Sequence, residues 1–172
     1  TTPIYPPFLS APQYSNKKLI TVPLIKDKDS WTFDFKSMEE KINKNTKLFI
    51  LCNPHNPIGK VYNKEELENL SLFCEKHDLI LVSDEIHCDL IFNKSSKHIM
   101  SANLNSELAN RTITLMSPSK TYNIPGLSCA FAIIENHKIR QIYKNSIRGI
   151  INEINCFGYV ACEAAYKYGE DW

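Results

Sequence analysis

Residues 79–87 read Leu-Ile-Leu-Val-Ser-Asp-Glu-Ile-His. Four apolar residues run without interruption, then the chain turns polar at Ser83 and Asp84. A short apolar run of this kind is the profile of a strand buried on both faces, and parallel sheets are made of such strands. The same profile recurs on either side. Lys47–Cys52 (Lys-Leu-Phe-Ile-Leu-Cys) ends in Asn-Pro, Arg111–Met116 ends in Ser117-Pro118-Ser119-Lys120, and Cys129–Ile134 offers a fourth strand. Between the first two strands, Asn63 and Glu66 form a capping-box pattern ahead of an apolar stripe at Leu67, Leu70 and Phe73-Cys74. Strands that alternate with helices or long connections predict an α/β fold with a mostly parallel sheet flanked by helices.

Further out the signals predict a strand over Lys18–Leu24 and a short helix over Ser37–Ile42 with Asp34 near its N-cap. A turn is expected at Ile124-Pro125-Gly126-Leu127, with Pro at i+1 and Gly at i+2. One long helix is expected from about Asn136 to Tyr168, where Ile139, Ile142, Tyr143, Ile147, Ile150, Ile151, Ile154 and Phe157 keep helical spacing.

Composition narrows the function classes. The chain has 172 residues, 43% hydrophobic and 23% charged, enough for one domain with a sizeable core. Twenty basic residues against 19 acidic ones give a net charge of +1, with no basic excess for nucleic acid. The longest apolar runs are far too short to span a membrane. Six cysteines at 52, 74, 88, 129, 156 and 162 form no Cys-x-x-Cys motif and no compact disulfide framework, which favours a reducing, cytoplasmic setting.

In parallel sheets ligands bind beyond the carboxyl ends of the strands. Three polar strand ends therefore carry the chemistry. Lys120, flanked by Ser117 and Ser119, is either a surface lysine or an amine able to form a Schiff base with an aldehyde cofactor. Asp84 is either a solvated or capping carboxylate or the partner of a protonated ring nitrogen. Asn56, in Asn53-Pro54-His55-Asn56-Pro57, is either turn chemistry or a donor to a phenolate oxygen. Tyr5 lies in a Pro-rich segment, where it is a surface aromatic or a platform for a flat ring. Together these features supply a covalent anchor, an anion and a hydrogen-bond donor at one end of the sheet, the groups a pyridoxal ring needs.

Four words appear in order: Ile4-Tyr5-Pro6-Pro7-Phe8, Leu51-Cys52-Asn53-Pro54-His55-Asn56-Pro57-Ile58-Gly59, Val82-Ser83-Asp84-Glu85-Ile86-His87-Cys88-Asp89-Leu90 and Ser117-Pro118-Ser119-Lys120-Thr121-Tyr122-Asn123. In these words the chain resembles the fold-type I pyridoxal 5′-phosphate enzymes of aminotransferase class I/II, and is most similar to the MalY/PatB-type cystathionine β-lyases. The resemblance covers nearly the whole chain. It implies that Lys120 anchors the cofactor and acts as catalytic base, Asp84 pairs with the ring nitrogen and Asn56 binds the phenolic oxygen. It further implies that Tyr5 and Ile86 cover the two ring faces, that His87 lies nearby, and that Ser117 and Ser119 lie near the phosphate. The activity implied is α,β-elimination on sulfur-containing amino acids to pyruvate, ammonia and a thiol, with transamination as the alternative. A homodimer is implied for the full-length protein.

The resemblance also sets expectations about extent. Residues 1–172 correspond to the central part of the cofactor-binding large domain, without the N-terminal segment and the C-terminal small domain. No arginine occurs in Ile124–Ala130, where many aminotransferases have one for phosphate, and this suits the lyase subfamily better. Three other readings compete. Ser117-x-x-Lys120 fits the nucleophile motif of penicillin-binding proteins, although no Lys-Thr-Gly follows. Asp84, Glu85, His87 and Asp89 are dense in metal ligands, although an extended segment turns Asp84 and His87 apart. The chain is otherwise a non-catalytic binding or dimerising module.

Overall fold

Four strands form the central sheet in the order β3 (Leu48–Cys52), β4 (Ile80–Asp84), β5 (Thr112–Met116) and β6 (Phe131–Ile133). The computed structural model describes residues 1–27 and 30–172. β3, β4 and β5 are parallel, and β6 runs antiparallel to β5. A short hairpin of β1 (Ile25–Asp27) and β2 (Ser30–Thr32) stands apart from this sheet. The helices are α1 (Pro7–Tyr14), α2 (Phe35–Lys41), α3 (Lys64–Lys76), α4 (Ser106–Asn110), α5 (His137–Ile147) and α6 (Cys156–Tyr168).

The parallel strands form because most of their side chains are apolar and each crossover contains a helix that buries leucine against the sheet. In α3, Leu67, Leu70, Phe73 and Cys74 are buried in one core with Leu51 of β3 and Leu81 of β4. Each fully buried leucine contributes about 1.5–3 kcal/mol. The capping box is present as read: the Glu66 N–H donates to Asn63 Oδ1 at 2.9 Å, and the Asn63 N–H donates to Glu66 Oε2 at 2.8 Å. Asp34 caps α2 in the same way, accepting from Ser37 N at 3.0 Å.

Register decides what faces the site. Cys52 pairs with Asp84, and Asp84 with Leu115, so these three strand-end side chains share a face. Leu81 and Ser83 alternate to the other face and are buried.

Two expectations need correction. Lys18–Leu24 is not a strand: only Pro23 bridges, to Thr2, and the regular pairing begins at Ile25. Proline has no N–H for a ladder, so Val22 and Leu24 are buried in the core from an irregular segment instead. The long helix is two helices, α5 and α6. Gly149 adopts φ +72°, a left-handed turn that ends helical propagation, and the Asn155 side chain starts α6 by accepting from Gly158 N at 2.9 Å. In the Pro-rich N-terminal segment Pro7 opens α1, where its missing N–H costs nothing. The expected turn is present: the Leu127 N–H donates to Ile124 O at 3.2 Å.

Candidate active site at the carboxyl ends of the strands

A cavity of about 300 Å³ lies beyond the carboxyl ends of β3, β4 and β5, lined by Tyr5, Phe8, Cys52, Asn56, Asp84, Ile86, His87, Ser119 and Lys120. Seven of the eight residues singled out from sequence thus share one cavity. Ser117 is the exception. It is buried, its Oγ donates to Cys129 O at 2.7 Å and accepts from Ser119 N at 3.1 Å, and it shapes the lysine loop from behind.

The wall from β3 is tightly built. Asn53 is buried; its N–H donates to Asp84 O at 3.0 Å and its amide donates to Ile99 O at 3.4 Å. His55 bridges two segments. Its Nε2 lies 2.7 Å from Pro3 O and its Nδ1 lies 3.0 Å from the Tyr62 hydroxyl. A carbonyl only accepts, so Nε2 carries the proton and Nδ1 accepts from Tyr62. Burial lowers the pKa of this imidazole and favours the neutral ring. The Tyr5 N–H donates to Asn56 O at 3.1 Å, so the segment that brings Tyr5 is fastened to the loop that brings Asn56. Tyr5 and Phe8 meet edge to face, with ring centroids 6.4 Å apart.

Asp84 forms the floor. Its carboxylate accepts from Ile86 N at 3.1 Å and makes no salt bridge among the described residues. Burial raises its pKa, against a smaller lowering by that N–H and by His87. Burial lowers the pKa of His87; Asp84 opposes this and Lys120 adds to it. The Cys52 thiol is pushed up to about 11, chiefly by burial, and stays protonated at neutral pH. Lys120 sits on a loop held by Tyr122 N to Pro118 O at 3.0 Å and by Thr121 Oγ1 to Asp89 Oδ2 at 2.9 Å.

The competing constellations do not assemble. Ser117 is engaged with backbone and does not line the cavity. Glu85 faces away from Asp84 into the core, and among the described residues no group of three or more His, Cys, Asp or Glu is placed to hold a metal ion. All six cysteines are free. A more open depression of about 380 Å³ beside α3, lined by Glu68, Ser71, Leu72, Glu75, Asn105 and Glu107, offers no amine and no convergent set of donors.

Sequence reading missed two lining residues. Cys52 was legible in principle, since the last residue of one parallel strand pairs with the last of the next. Phe8 sits three residues after Tyr5, one turn away, and was hidden because α1 was not recognised.

Comparison with known proteins identifies the family. Residues 1–166 match the model of the family described as aminotransferase class I and II. The chain is 36% identical over 172 residues to the cystathionine beta-lyase PatB of Bacillus subtilis (strain 168), covering 99% of this chain and 44% of that protein. It superposes with a TM-score of 0.93 at 38% identity on cystalysin from Treponema denticola, a structure containing pyridoxal 5′-phosphate, over 99% of this chain and 44% of that one. A pyridoxal-phosphate-bound aminotransferase described as putative, from Clostridium difficile 630, gives a TM-score of 0.94 at 43% identity, again over 99% of this chain and 44% of that one. The chain thus spans less than half the length of these relatives. With the family model matched from residue 1 to residue 166, the chain belongs to the aminotransferase class I and II family.

Proposed function

We propose that the full-length protein is a pyridoxal 5′-phosphate-dependent C–S β-lyase that acts on small sulfur-containing amino acids in the manner of cystathionine β-lyases. One observation carries the reading: an amine, a carboxylate that makes no salt bridge among the described residues and an amide meet in one cavity at the ends of three adjacent strands. Similarity to PatB and cystalysin supports the lyase form of it.

The donor set fits the cofactor. Among the described residues Asp84 has only the Ile86 N–H, on Oδ1, for a side-chain partner, so a cationic ring N–H would find an acceptor there. The Asn56 amide would donate to the phenolic oxygen, Tyr5 and Ile86 would flank the ring, and Ser119 with its neighbouring backbone N–H groups would face the phosphate. Bound there, the cofactor supplies an electron sink for the pair left when a Cα–H bond breaks. Lys120 would hold the cofactor covalently and, once displaced by substrate, take the Cα proton on Nζ. His87 lies beside both Asp84 and Lys120 and would keep that corner polar without adding a charge. The net reaction is hydrolytic: a β-thio amino acid and water give a thiol, pyruvate and ammonium.

The span from residue 1 to residue 172 would be the central part of a larger cofactor-binding domain that works as a homodimer in the cytoplasm. No helix among the described residues is long and apolar enough to cross a membrane. The similarity to the Clostridium difficile aminotransferase keeps transamination as the second reading. Assay of the full-length protein with cystathionine separates the two. Pyruvate and thiol released without a keto-acid acceptor support the lyase. Amino-group exchange that requires an acceptor and releases no thiol overturns it.

A further inference from the structure

Glu85 has no part in the chemistry above, yet it is the most completely enclosed carboxylate beside the site. It follows Asp84 directly, and strand alternation sends its side chain to the opposite face. There it is fully buried, with Oε1 accepting from Ser83 Oγ at 2.9 Å and from Ser101 N at 3.0 Å, and Oε2 lying 2.6 Å from His98 Nε2. A carboxylate only accepts, so His98 Nε2 is the donor. A buried carboxylate is costly unless it is paired and hydrogen-bonded, and here both oxygens are engaged. His98 makes this contact while its Nδ1 is buried without a partner among the described residues.

The contact closes a loop. Residues 86–97 leave the sheet after β4 and return at His98, and Glu85 ties the two ends together. Within that excursion lie Ile86 and His87 on the cavity wall, and Asp89, which holds Thr121 next to Lys120. The backbone on either side is also stitched: Asn53 N donates to Asp84 O at 3.0 Å, and Glu85 N donates to Leu115 O at 3.0 Å. With the Glu85 side chain locked on one face, the Asp84 carboxylate is fixed on the other.

We propose that Glu85 and His98 form a positioning clasp, which sets the direction of the Asp84 carboxylate and the placement of the Ile86–His87 wall toward the bound cofactor. This inference rests on the proposed function. Its readouts are cofactor affinity and the protonation of the bound cofactor, neither of which a purely structural pair controls.

The test uses the full-length protein and the variants His98→Ala, His98→Gln and Glu85→Gln. Failure of borohydride to fix pyridoxal phosphate on Lys120 of the parent protein counts against the proposed function itself, before any variant is read. Given that labelling, three quantities are measured: the melting temperature without cofactor, the Kd for pyridoxal phosphate, and the pH midpoint of the visible absorbance of the loaded protein. His98→Ala is expected to raise Kd about tenfold or more and to move the midpoint by at least about half a unit. His98→Gln, whose amide N–H can still reach Glu85, is expected to restore most of both. Should His98→Ala fail to fold, Glu85→Gln carries the test, since it keeps the acceptor for Ser101 N and Ser83 Oγ but removes the charge; its Kd is expected to rise about threefold or more. A lowered melting temperature with Kd within about twofold of the parent and an unmoved midpoint, in whichever of the two folds, overturns the clasp.

Discussion

Asp84 and Glu85 are neighbouring carboxylates with opposite fates. Glu85 is saturated with donors, while Asp84 faces a cavity with one backbone N–H. Burial raises the pKa of Asp84 above the unfolded value of about 3.9. A raised carboxylate favours the folded state while it is protonated, and that contribution is lost as pH climbs from the unfolded value through the folded one. Asp84→Asn is therefore expected to raise the melting temperature of the cofactor-free protein relative to the parent at pH 7, with the gap closing below about pH 4. The loaded protein should respond in the opposite sense. Without the anion the ring nitrogen has no counter-charge, so turnover should fall by about a hundredfold or more while the cofactor is retained. Scanning calorimetry at the two pH values and steady-state assays check both signs; near-parental turnover excludes the role given to Asp84.

At the scale of elements, the site depends on how loops are tied to strand ends. His55 joins the N-terminal segment to the turn after β3 through Pro3 and Tyr62. His55→Ala leaves a buried hydroxyl and a carbonyl unpaired, and is expected to cost about 2–4 kcal/mol in urea unfolding. Its pKa is lowered by burial, so its contribution is present above the unfolded value of about 6.5 and is lost as pH falls through the folded one. The cost of His55→Ala should therefore shrink on acidification. Asn63→Ala makes a useful contrast. It removes the α3 cap, which does not line the cavity, and should cost about 1 kcal/mol with no change in cofactor affinity. Elements with a strong local signal were legible in sequence. β3 and β4 have unbroken apolar runs, β5 a short β-branched and apolar run, and α3 a capping box; the three strands formed within a residue or two of the expected bounds. Weaker signals misled. The isoleucines at 150 and 151 extend a helical spacing past Gly149, but they are 79% and 61% exposed, so no core enforces the pattern.

At the scale of the whole molecule, one face of the sheet is closed by α3 and α4, while the other face bears half-buried residues such as Ile50, Val82 and Leu115 and leads to the cavity. Ile142, Phe157 and Val160 of α5 and α6 are largely exposed. The location of the site was readable because a parallel sheet collects its polar strand ends at one edge, and three such ends stood out at Asn56, Asp84 and Lys120. The role of Ser117, the clasp from Glu85 to His98 and the antiparallel entry of β6 were not readable. The first two depend on side-chain direction across a loop and the third on the path of the chain between β5 and β6, which composition and spacing do not encode. Catalysis by such a site rests on positioning, and the 172 residues cover 44% of PatB. The isolated 172 residues are therefore expected to show no lyase or transaminase turnover, and measurable turnover from the purified span would refute this.

Lys120 is the proposed covalent anchor for pyridoxal phosphate, and the proposed function stands or falls with it. The direct measurement is borohydride reduction of the loaded full-length protein followed by peptide mapping. The chain has 16 other lysines that could compete for the label, but among the described residues Lys120 is the lysine that borders Asp84 and Asn56 in the cavity.

 A single pyridoxyl group is expected on the peptide containing Lys120, with loss of both the label and the visible absorbance in a folded Lys120→Ala variant. A label scattered over surface lysines, or an unchanged spectrum in Lys120→Ala, would contradict it.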